Sequence, residues 1–145
     1  MNNDLFEQSL EYQKNNNIEE WVHLFLLGSG NNVPLSDGLK KSKRYWIGPV
    51  EYDLSKLIRI GGPEEGKEYP EPQESWDIRI EKMLTDLKNN WKPAPLIAEY
   101  KNGEIKVRDG GHRLAAFEKA GYQKVWTILW CNNEEDYLEL QKTII

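Results

Sequence analysis

The stretch Glu104 to Gly121, EIKVRDGGHRLAAFEKAG, contains a strand-like and a helix-like pattern separated by two glycines. In its first part Ile105 and Val107 alternate with charged residues, which is the period of a half-buried strand. In its second part apolar residues recur at helical spacing, and Gly121 is a typical helix stop. The stretch is therefore predicted to fold as a strand, a tight turn and a helix.

The turn consists of Asp109, Gly110, Gly111, His112 and Arg113. The first amides of a helix lack intrahelical acceptors and lie at the positive end of its dipole, so they attract anions. The two glycines allow the backbone to adopt positive φ and let a phosphate approach the amides, and we predict that His112 and Arg113 donate hydrogen bonds to that phosphate. Asp109 is expected to cap the helix, to orient the turn or to hold a metal ion. A purely structural interpretation is a tight connection with local caps and a solvated Arg113.

Composition indicates one soluble domain. The chain has 145 residues, 39% of them hydrophobic, and no apolar run of membrane-spanning length. Its N-terminus lacks the basic start and apolar stretch of a secretory signal, so we expect a cytoplasmic protein without a membrane partner. Cys131 is the one cysteine and is expected to be a buried filler. Because His23 and His112 are the only histidines, we predict neither a zinc site nor a haem site, and His23 is expected to be structural.

The charge balance argues against a dedicated nucleic-acid binder. The formal net charge is −5, whereas such proteins normally carry a basic face that contacts the phosphate backbone. One basic run, Lys40 to Arg44, is an exception that could contact a polyanion. Such runs are more often solvated loops, and we predict a loop here.

The N-terminal part is predicted to be a helical arm with a loop, residues 1–44. Apolar residues at helical spacing predict helices over 3–14 and 17–27, with Asn17 as an N-cap of the second. Residues 28–44 are rich in Gly, Asn, Ser and Lys and are interpreted as a loop. A homodimer formed through this arm is an open alternative.

Residues 45–145 are predicted to form an α+β domain, with a small mixed sheet and flanking helices. The expected strands are 46–52, with Pro49 at an edge or bulge, then 96–100, the strand before the turn, and 124–130. Asn102 and Gly103 predict a hairpin turn. Helices are expected over 76–91, capped by Ser75, and after Asn132 or Asn133.

The segment 61–75, GGPEEGKEYPEPQES, is predicted to be a mobile surface loop because it is polar and interrupted by prolines. A loop between a strand and a helix can act as a lid or supply a catalytic carboxylate. A solvated linker is the alternative.

Residues 45–131 resemble the ParB/sulfiredoxin superfamily. The similar residues are PLIAEY at 95–100, IKVRDGGHRLAAFEKAG at 105–121, KVWTILW at 124–130 and WKP at 91–93. The resemblance implies a small α+β domain with a phosphate-binding turn before a helix. Sulfiredoxins place a catalytic cysteine where this chain has Gly111, so peroxiredoxin repair is not expected. The chromosome-partitioning branch has a second arginine where this chain has His112 and a further DNA-binding domain, so a partition protein is not expected either.

The branch that includes the ADP-dependent free-serine kinases is the most similar, because it carries a D-G-x-H-R turn after a strand. This resemblance implies that a glutamate of the loop 61–75 helps to activate a substrate hydroxyl, with Glu64, Glu65 and Glu71 as candidates. The additional C-terminal portion of the kinases has no counterpart here.

The leading hypothesis is a domain that binds a nucleotide or another phosphorylated small molecule, with phosphotransferase activity as its extension. Amides of Gly110 to His112 and the Arg113 fork would bind phosphates of ADP, ATP or CTP with Mg²⁺, His112 would stabilise charge, and a loop glutamate would act as base. Two alternatives are a non-catalytic interaction module and a ParB-like nuclease.

Overall fold

The computed structural model describes residues 4–144. The helices are α1 (Asp4–Lys14), α2 (Ile18–Leu27), α3 (Val33–Leu39), α4 (Gln73–Lys88), α5 (Gly111–Lys119) and α6 (Glu134–Ile144). The strands are β1 (Tyr45–Asp53), β2 (Leu57–Arg59), β3 (Gly61–Gly62), β4 (Tyr69–Pro70), β5 (Leu96–Lys101), β6 (Glu104–Asp109) and β7 (Lys124–Cys131). Within residues 4–144, no helix has the length and apolar character needed to cross a membrane.

Five strands form one mixed sheet in the order β1-β7-β5-β6-β2, and β3 pairs with β4 separately. Neighbours in the large sheet are antiparallel in the β1–β7 and β5–β6 pairs and parallel in the β5–β7 and β2–β6 pairs. This architecture confirms the predicted α+β class with a small mixed sheet. The register shift between Ile47 and Val50 lies around Pro49 on an edge strand, as predicted.

The β5–β6 hairpin delivers the turn that precedes α5. Asn102 and Gly103 both have positive φ, 54° and 77°, which a two-residue turn between twisted antiparallel strands requires. Ile105 and Val107 are buried while their neighbours along β6 are partly or fully exposed, so the predicted alternation is confirmed.

Helices cover both faces of the sheet, since residues that alternate along β5 belong to different cores. Leu96 and Ala98 pack with Leu114, Phe117 and Leu140 from α5 and α6. On the other face Ile97 packs with α2 and α3, and the residues of that core include Trp21, Val22, Phe25, Leu26, Leu39, Ile128 and Trp130. The N-terminal helices therefore pack on the other face of the sheet and form a second hydrophobic core there. The division at residue 44 stays a prediction.

The predicted loop over residues 28–44 is wrong in its centre, where α3 forms. The Asn32 side-chain oxygen accepts from the Leu35 amide at 3.3 Å, and Pro34 lies in the first turn, so both features stabilise the helix start. Leu39 is 2% exposed and joins the core. Arg44 donates to the carbonyl oxygens of Gly38 and Leu39 at 3.0 and 3.3 Å, so this part of the basic run is tied to the fold.

Side-chain capping differs from the sequence expectation at the starts of α2 and α4. α4 begins at Gln73, and the Ser75 hydroxyl donates to the Pro72 carbonyl at 3.1 Å instead of capping the helix. Asn17 is the N-cap residue of α2, as predicted, but its side chain donates to Glu20 and makes no cap hydrogen bond. In contrast, the Asn133 side-chain oxygen accepts from the Asp136 amide at 2.8 Å, so the predicted cap of α6 is confirmed.

Two residues outside the turn have the structural environments that the sequence suggested. Cys131 is fully buried, and burial raises the pKa of its thiol to about 12. The His23 ring nitrogen Nδ1 lies 2.7 Å from the Ser36 hydroxyl, and burial lowers the pKa of His23. Cys131 therefore serves packing, and His23 makes an internal hydrogen bond.

Candidate functional site

The turn of the Asp-Gly-Gly-His-Arg sequence is a helix start with one left-handed residue. Gly110 is the N-cap with φ of 107°, and its carbonyl accepts from the Leu114 amide at 2.9 Å. The amides of residues 111–113 thus have no acceptor within the helix, as expected at this position. Gly111 is already helical and does not have positive φ, so only Gly110 uses the positive φ that glycine permits.

The two glycines also differ in the space around them. A Cβ atom at Gly110 would lie 2.6 Å from Leu96 Cδ2 and 2.7 Å from Arg113 Nη2. At Gly111 the nearest atom would be Arg59 Cγ at 4.0 Å. Packing therefore requires glycine at position 110 only, and the surface beside Gly111 is open to a ligand.

Asp109 and Arg113 form an internal ion pair. Arg113 Nη2 lies 3.3 Å from Asp109 Oδ2 and 3.3 Å from the Pro95 carbonyl oxygen, and its guanidinium lies 5.5 Å from the centre of the Phe25 ring. The other carboxylate oxygen of Asp109 accepts from Asn32 Nδ2 at 3.1 Å. Of the roles predicted for Asp109, orienting the turn agrees with these contacts and helix capping does not, because the cap position is Gly110.

Arg113 is largely withdrawn from solvent, which contradicts the interpretation that it lies on a solvated face. Its side chain is 13% exposed, and its Nε atom has no hydrogen-bond partner among the described residues. Burial lowers the pKa of Arg113 from its ordinary value, while the neighbouring Asp109 carboxylate acts in the opposite direction. An arginine in this position remains charged and holds the turn to the core.

A cavity of about 710 Å³ opens on the side of the turn that carries Gly111 and His112. Four parts of the chain line it: α3 with the residue before it, the segment from β2 to α4, the β6–α5 turn, and β7. Its polar side chains include Glu71, Arg108 and His112, and apolar lining comes from Leu35, Ile60, Trp76 and Trp130. Concave sites that combine an apolar lining with a few polar groups are typical of small-molecule binding.

The central contact in this cavity joins His112 to Glu71. His112 Nε2 lies 3.0 Å from Oε1 and 3.1 Å from Oε2 of Glu71, and the two side chains are 27% and 21% exposed. The His112 ring also lies 4.8 Å from the Trp76 ring, which has the Arg59 guanidinium 4.7 Å from its centre. A carboxylate that accepts from one ring nitrogen fixes the orientation of the imidazole.

The structure separates the three candidate glutamates. Glu71 lines the cavity and contacts the turn. Glu64 instead forms an ion pair with Arg59, whose hydrogen bond lowers the pKa of Glu64. Glu65 is exposed and is absent from the cavity lining. The structure therefore leaves Glu71 as the candidate in contact with the turn.

The glutamate-rich segment folds back against the sheet. The amides of Tyr69 and Glu71 donate to the carbonyls of Ile60 and Gly62 at 3.1 and 3.0 Å. Lys67 Nζ donates to the Arg59 carbonyl at 2.7 Å. These contacts place Glu71 at the start of α5, so the segment brings a carboxylate to the turn and the alternative of a solvated linker does not describe Glu71.

Two polar residues of the cavity wall, Arg108 and Asn32, were not identified as site residues from the sequence. Arg108 donates to Glu99 at 3.0 Å and lies 3.8 Å from Glu68. Although burial favours the protonated form, hydrogen bonds from Asn132 and Arg108 hold the pKa of Glu99 below its ordinary value. The position of Arg108 directly before the turn was the available signal, whereas nothing in the sequence pairs Asn32 with a residue 77 positions away.

A second cavity, of about 510 Å³, lies beside Gly110 and Arg113. Its lining includes Phe25, Gly30, Arg79, Asp109 and also His112. The predicted site residues are thus divided: Gly111 and Glu71 line the larger cavity, Gly110, Asp109 and Arg113 line the smaller one, and His112 lines both.

Comparisons with known proteins give similarity in structure only. No protein-family model and no curated protein matches the sequence. A sulfiredoxin from Arabidopsis thaliana is similar with a TM-score of 0.41 and 15% identity, over 64% of this chain and 94% of that chain. A Pnob8-like ParB-N domain is similar with a TM-score of 0.42 and 16% identity, over 69% of this chain and 37% of that chain. The names of these two structures are the two names of the superfamily that the sequence resembles.

Proposed function

We propose that this protein binds a phosphorylated small molecule, with a nucleotide as the first candidate, and that it transfers a phosphoryl group. The observation that carries the proposal is the contact between Glu71 and His112, because it places a carboxylate and an imidazole at the start of α5 inside a cavity. Helix amides without acceptors, an imidazole and a carboxylate are the groups that phosphoryl transfer needs from a protein.

The binding step uses the open side of the turn. The amides of residues 111–113 lie at the positive end of the α5 dipole, which favours a bound anion. The space beside Gly111 lets phosphate oxygens approach the backbone. Arg108 lines the same cavity and adds positive charge, although it is shared with Glu99 and Glu68. A phosphate bound here would compete with those carboxylates for Arg108.

The transfer step assigns separate roles to the two central side chains. The acceptor hydroxyl passes its proton to the Glu71 carboxylate while its oxygen forms the new bond to phosphorus, and the bond from phosphorus to the nucleotide leaving group breaks. His112 donates a hydrogen bond to the transferred phosphoryl group, where negative charge must be stabilised. Positioning and charge stabilisation supply most of the catalysis of such reactions.

A magnesium ion would have to be coordinated mainly by the phosphates of the nucleotide. Among residues 4–144 no group of three or more His, Cys, Asp or Glu side chains is arranged to hold a metal ion. Both carboxylate oxygens of Asp109 already accept hydrogen bonds, from Asn32 and Arg113. Magnesium commonly uses few protein ligands when phosphates supply the others, so binding with and without Mg²⁺ is the relevant comparison.

Calorimetric titration with ADP, ATP and CTP, each with and without Mg²⁺, tests the binding step. Transfer is then measured with a panel of hydroxyl compounds that includes free serine. We expect Glu71→Gln to lower the transfer rate by about 100-fold or more while nucleotide still binds. Glu65→Gln is the matched control, because Glu65 is exposed and outside the cavity lining.

Absence of saturable binding to any of the three nucleotides would refute the proposal. Binding without transfer to any hydroxyl compound would instead favour a non-catalytic binding module. Equal loss of transfer in Glu71→Gln and Glu65→Gln would remove the role assigned to Glu71.

A further inference from the structure

We infer that α3 determines which phosphorylated ligand the cavity accepts, with Leu35 as a contact for the non-phosphate part and Asn32 as a positioning residue. The inference rests on the proposed binding function and extends it to the ligand class. Its starting observation is that Asn32, Pro34 and Leu35 line the same cavity as Gly111 and His112.

A continuous chain of hydrogen bonds fixes α3 to the turn. The Leu35 amide donates to Asn32 Oδ1 at 3.3 Å, and Asn32 Nδ2 donates to Asp109 Oδ1 at 3.1 Å. Asp109 Oδ2 in turn accepts from Arg113 Nη2 at 3.3 Å. Through Asn32, the first turn of α3 therefore keeps a set position relative to the start of α5.

The position of Arg113 strengthens this chain. Its guanidinium contacts the Pro95 carbonyl before β5 and the Phe25 ring of α2. One largely buried cation thus connects the turn, the sheet and the N-terminal helices. Because Asn32 is attached to this anchored ion pair and also caps α3, the wall that carries Leu35 is held rigidly.

The size and lining of the cavity indicate what this wall contacts. About 710 Å³ lies in the range of pockets that hold drug-sized ligands, so a phosphate group alone leaves most of the space unfilled. Beyond the turn the lining includes Leu35, which is half-buried, and the buried side chains of Ile60 and Trp130. The ligand class that fits is a phosphate ester with an apolar or planar group, such as a nucleobase, and not a small inorganic anion.

Paired probes test this inference. ADP and inorganic pyrophosphate carry the same linked phosphates, and only ADP has a ring system. Their dissociation constants are measured under identical Mg²⁺ conditions for the wild-type protein, Leu35→Ala, Asn32→Ala and Val33→Ala. Val33 is the matched control, because it lies on the same helix, is 44% exposed and is absent from the cavity lining.

We expect Leu35→Ala to weaken ADP binding by between about 4-fold and about 15-fold, the equivalent of one to two buried methylene groups. Pyrophosphate binding should stay within about 2-fold, since phosphate contacts are unchanged. Asn32→Ala should shift the ratio of the two constants in the same direction, and it replaces Leu35→Ala if that variant fails to fold by circular dichroism. Val33→Ala should leave both constants unchanged.

The outcomes distinguish this inference from the function on which it rests. If the wild-type protein binds neither probe, both the proposed function and the inference are overturned. If the wild-type protein binds both probes and the ratio is unchanged in Leu35→Ala and Asn32→Ala, only the role of α3 is overturned. An equal shift in Val33→Ala would also overturn it.

Discussion

Replacing each glycine of the turn by alanine separates the part of the turn that supports the fold from the part that faces a ligand. Gly110 has φ of 107° and is closely surrounded, whereas Gly111 is helical and open. The same substitution at adjacent positions should therefore affect two different properties, stability and ligand binding. Gly110→Ala is expected to unfold the protein at lower denaturant concentration, and Gly111→Ala is expected to impair ligand binding.

The magnitude at Gly110 has two parts. Forcing an alanine into the left-handed region costs about 1–2 kcal/mol. The added methyl group would also lie 2.6 Å from Leu96 Cδ2 and 2.7 Å from Arg113 Nη2. Leu96 is fully buried and Arg113 is held by its ion pair, so neither can move freely, and overpacking adds about 1–3 kcal/mol. The expected loss in the free energy of unfolding is about 2–5 kcal/mol.

Two other substitutions calibrate this value. Gly121 also has positive φ, 84°, but a Cβ there has no neighbour within 4 Å, so Gly121→Ala measures the backbone cost alone. Gly111→Ala has neither cost, and alanine in a helix is expected to be neutral or to stabilise by up to about 1 kcal/mol. Its methyl group would, however, narrow the approach to the helix amides.

Urea unfolding followed by circular dichroism gives the three free energies, and calorimetry with ADP gives the binding constants. Gly110→Ala should lose at least about 1 kcal/mol more of the free energy of unfolding than Gly121→Ala. Gly111→Ala should keep its stability and lose binding. Equal losses at positions 110 and 121 would refute the packing argument, and unchanged ADP binding in Gly111→Ala would refute the placement of the phosphate.

Three further predictions concern groups outside the ligand contacts. Arg113→Ala should lower the free energy of unfolding by about 3–5 kcal/mol, because it leaves the largely buried Asp109 carboxylate without its cationic partner. Lys119→Ala, which removes an ion pair whose side chains are 60% and 67% exposed, should change it by less than about 1 kcal/mol in the same urea experiment. Tyr100 donates a hydrogen bond to Glu139, which raises the pKa of Tyr100 to about 12. Because this folded-state pKa lies above the usual tyrosine pKa of about 10, the hydrogen bond should contribute fully to stability below about pH 10 and progressively less as the pH rises toward 12. The urea midpoints of a Tyr100→Phe variant should lack this decline. The Cys131 thiol, with its pKa raised to about 12 by burial, should not react with Ellman's reagent at neutral pH until the protein is unfolded, and rapid labelling of the native protein would contradict its buried position.

The elements that could be predicted from sequence are those with local signals. The alternation in β6, the Asn102-Gly103 turn and the glycine at 121 each act on neighbouring residues, so the β5–β6–α5 unit was predicted close to its observed limits. The short strand β2 was missed because three residues carry no readable period. α3 was missed because its flanking Gly and Asn residues are typical of loops, although Asn32 in fact caps it.

The composition of the candidate site was less predictable than its location. Three glutamates were equivalent in sequence, and the choice among them depends on the β3–β4 pairing and on the backbone contacts that bring Glu71 to the turn. The contact between Asn32 and Asp109 joins residues 77 positions apart, and no local pattern encodes such a distance. Long-range packing therefore determined which of the candidate side chains reached the site.

Different residues of the turn serve the fold and face the larger cavity, which explains why an anion-binding and a structural interpretation both suited the same five residues. Asp109 and Arg113 are four residues apart, which brings their side chains together at the helix start, and their contacts with Asn32, Pro95 and Phe25 use them for the fold. Gly111 and His112 remain on the side of the larger cavity. A phosphate on that side would meet helix amides, His112 and Arg108, and the effect of Arg113 on it would be indirect. A loss of binding in Arg113 variants should therefore accompany a loss of stability, whereas a loss in Gly111 variants should not.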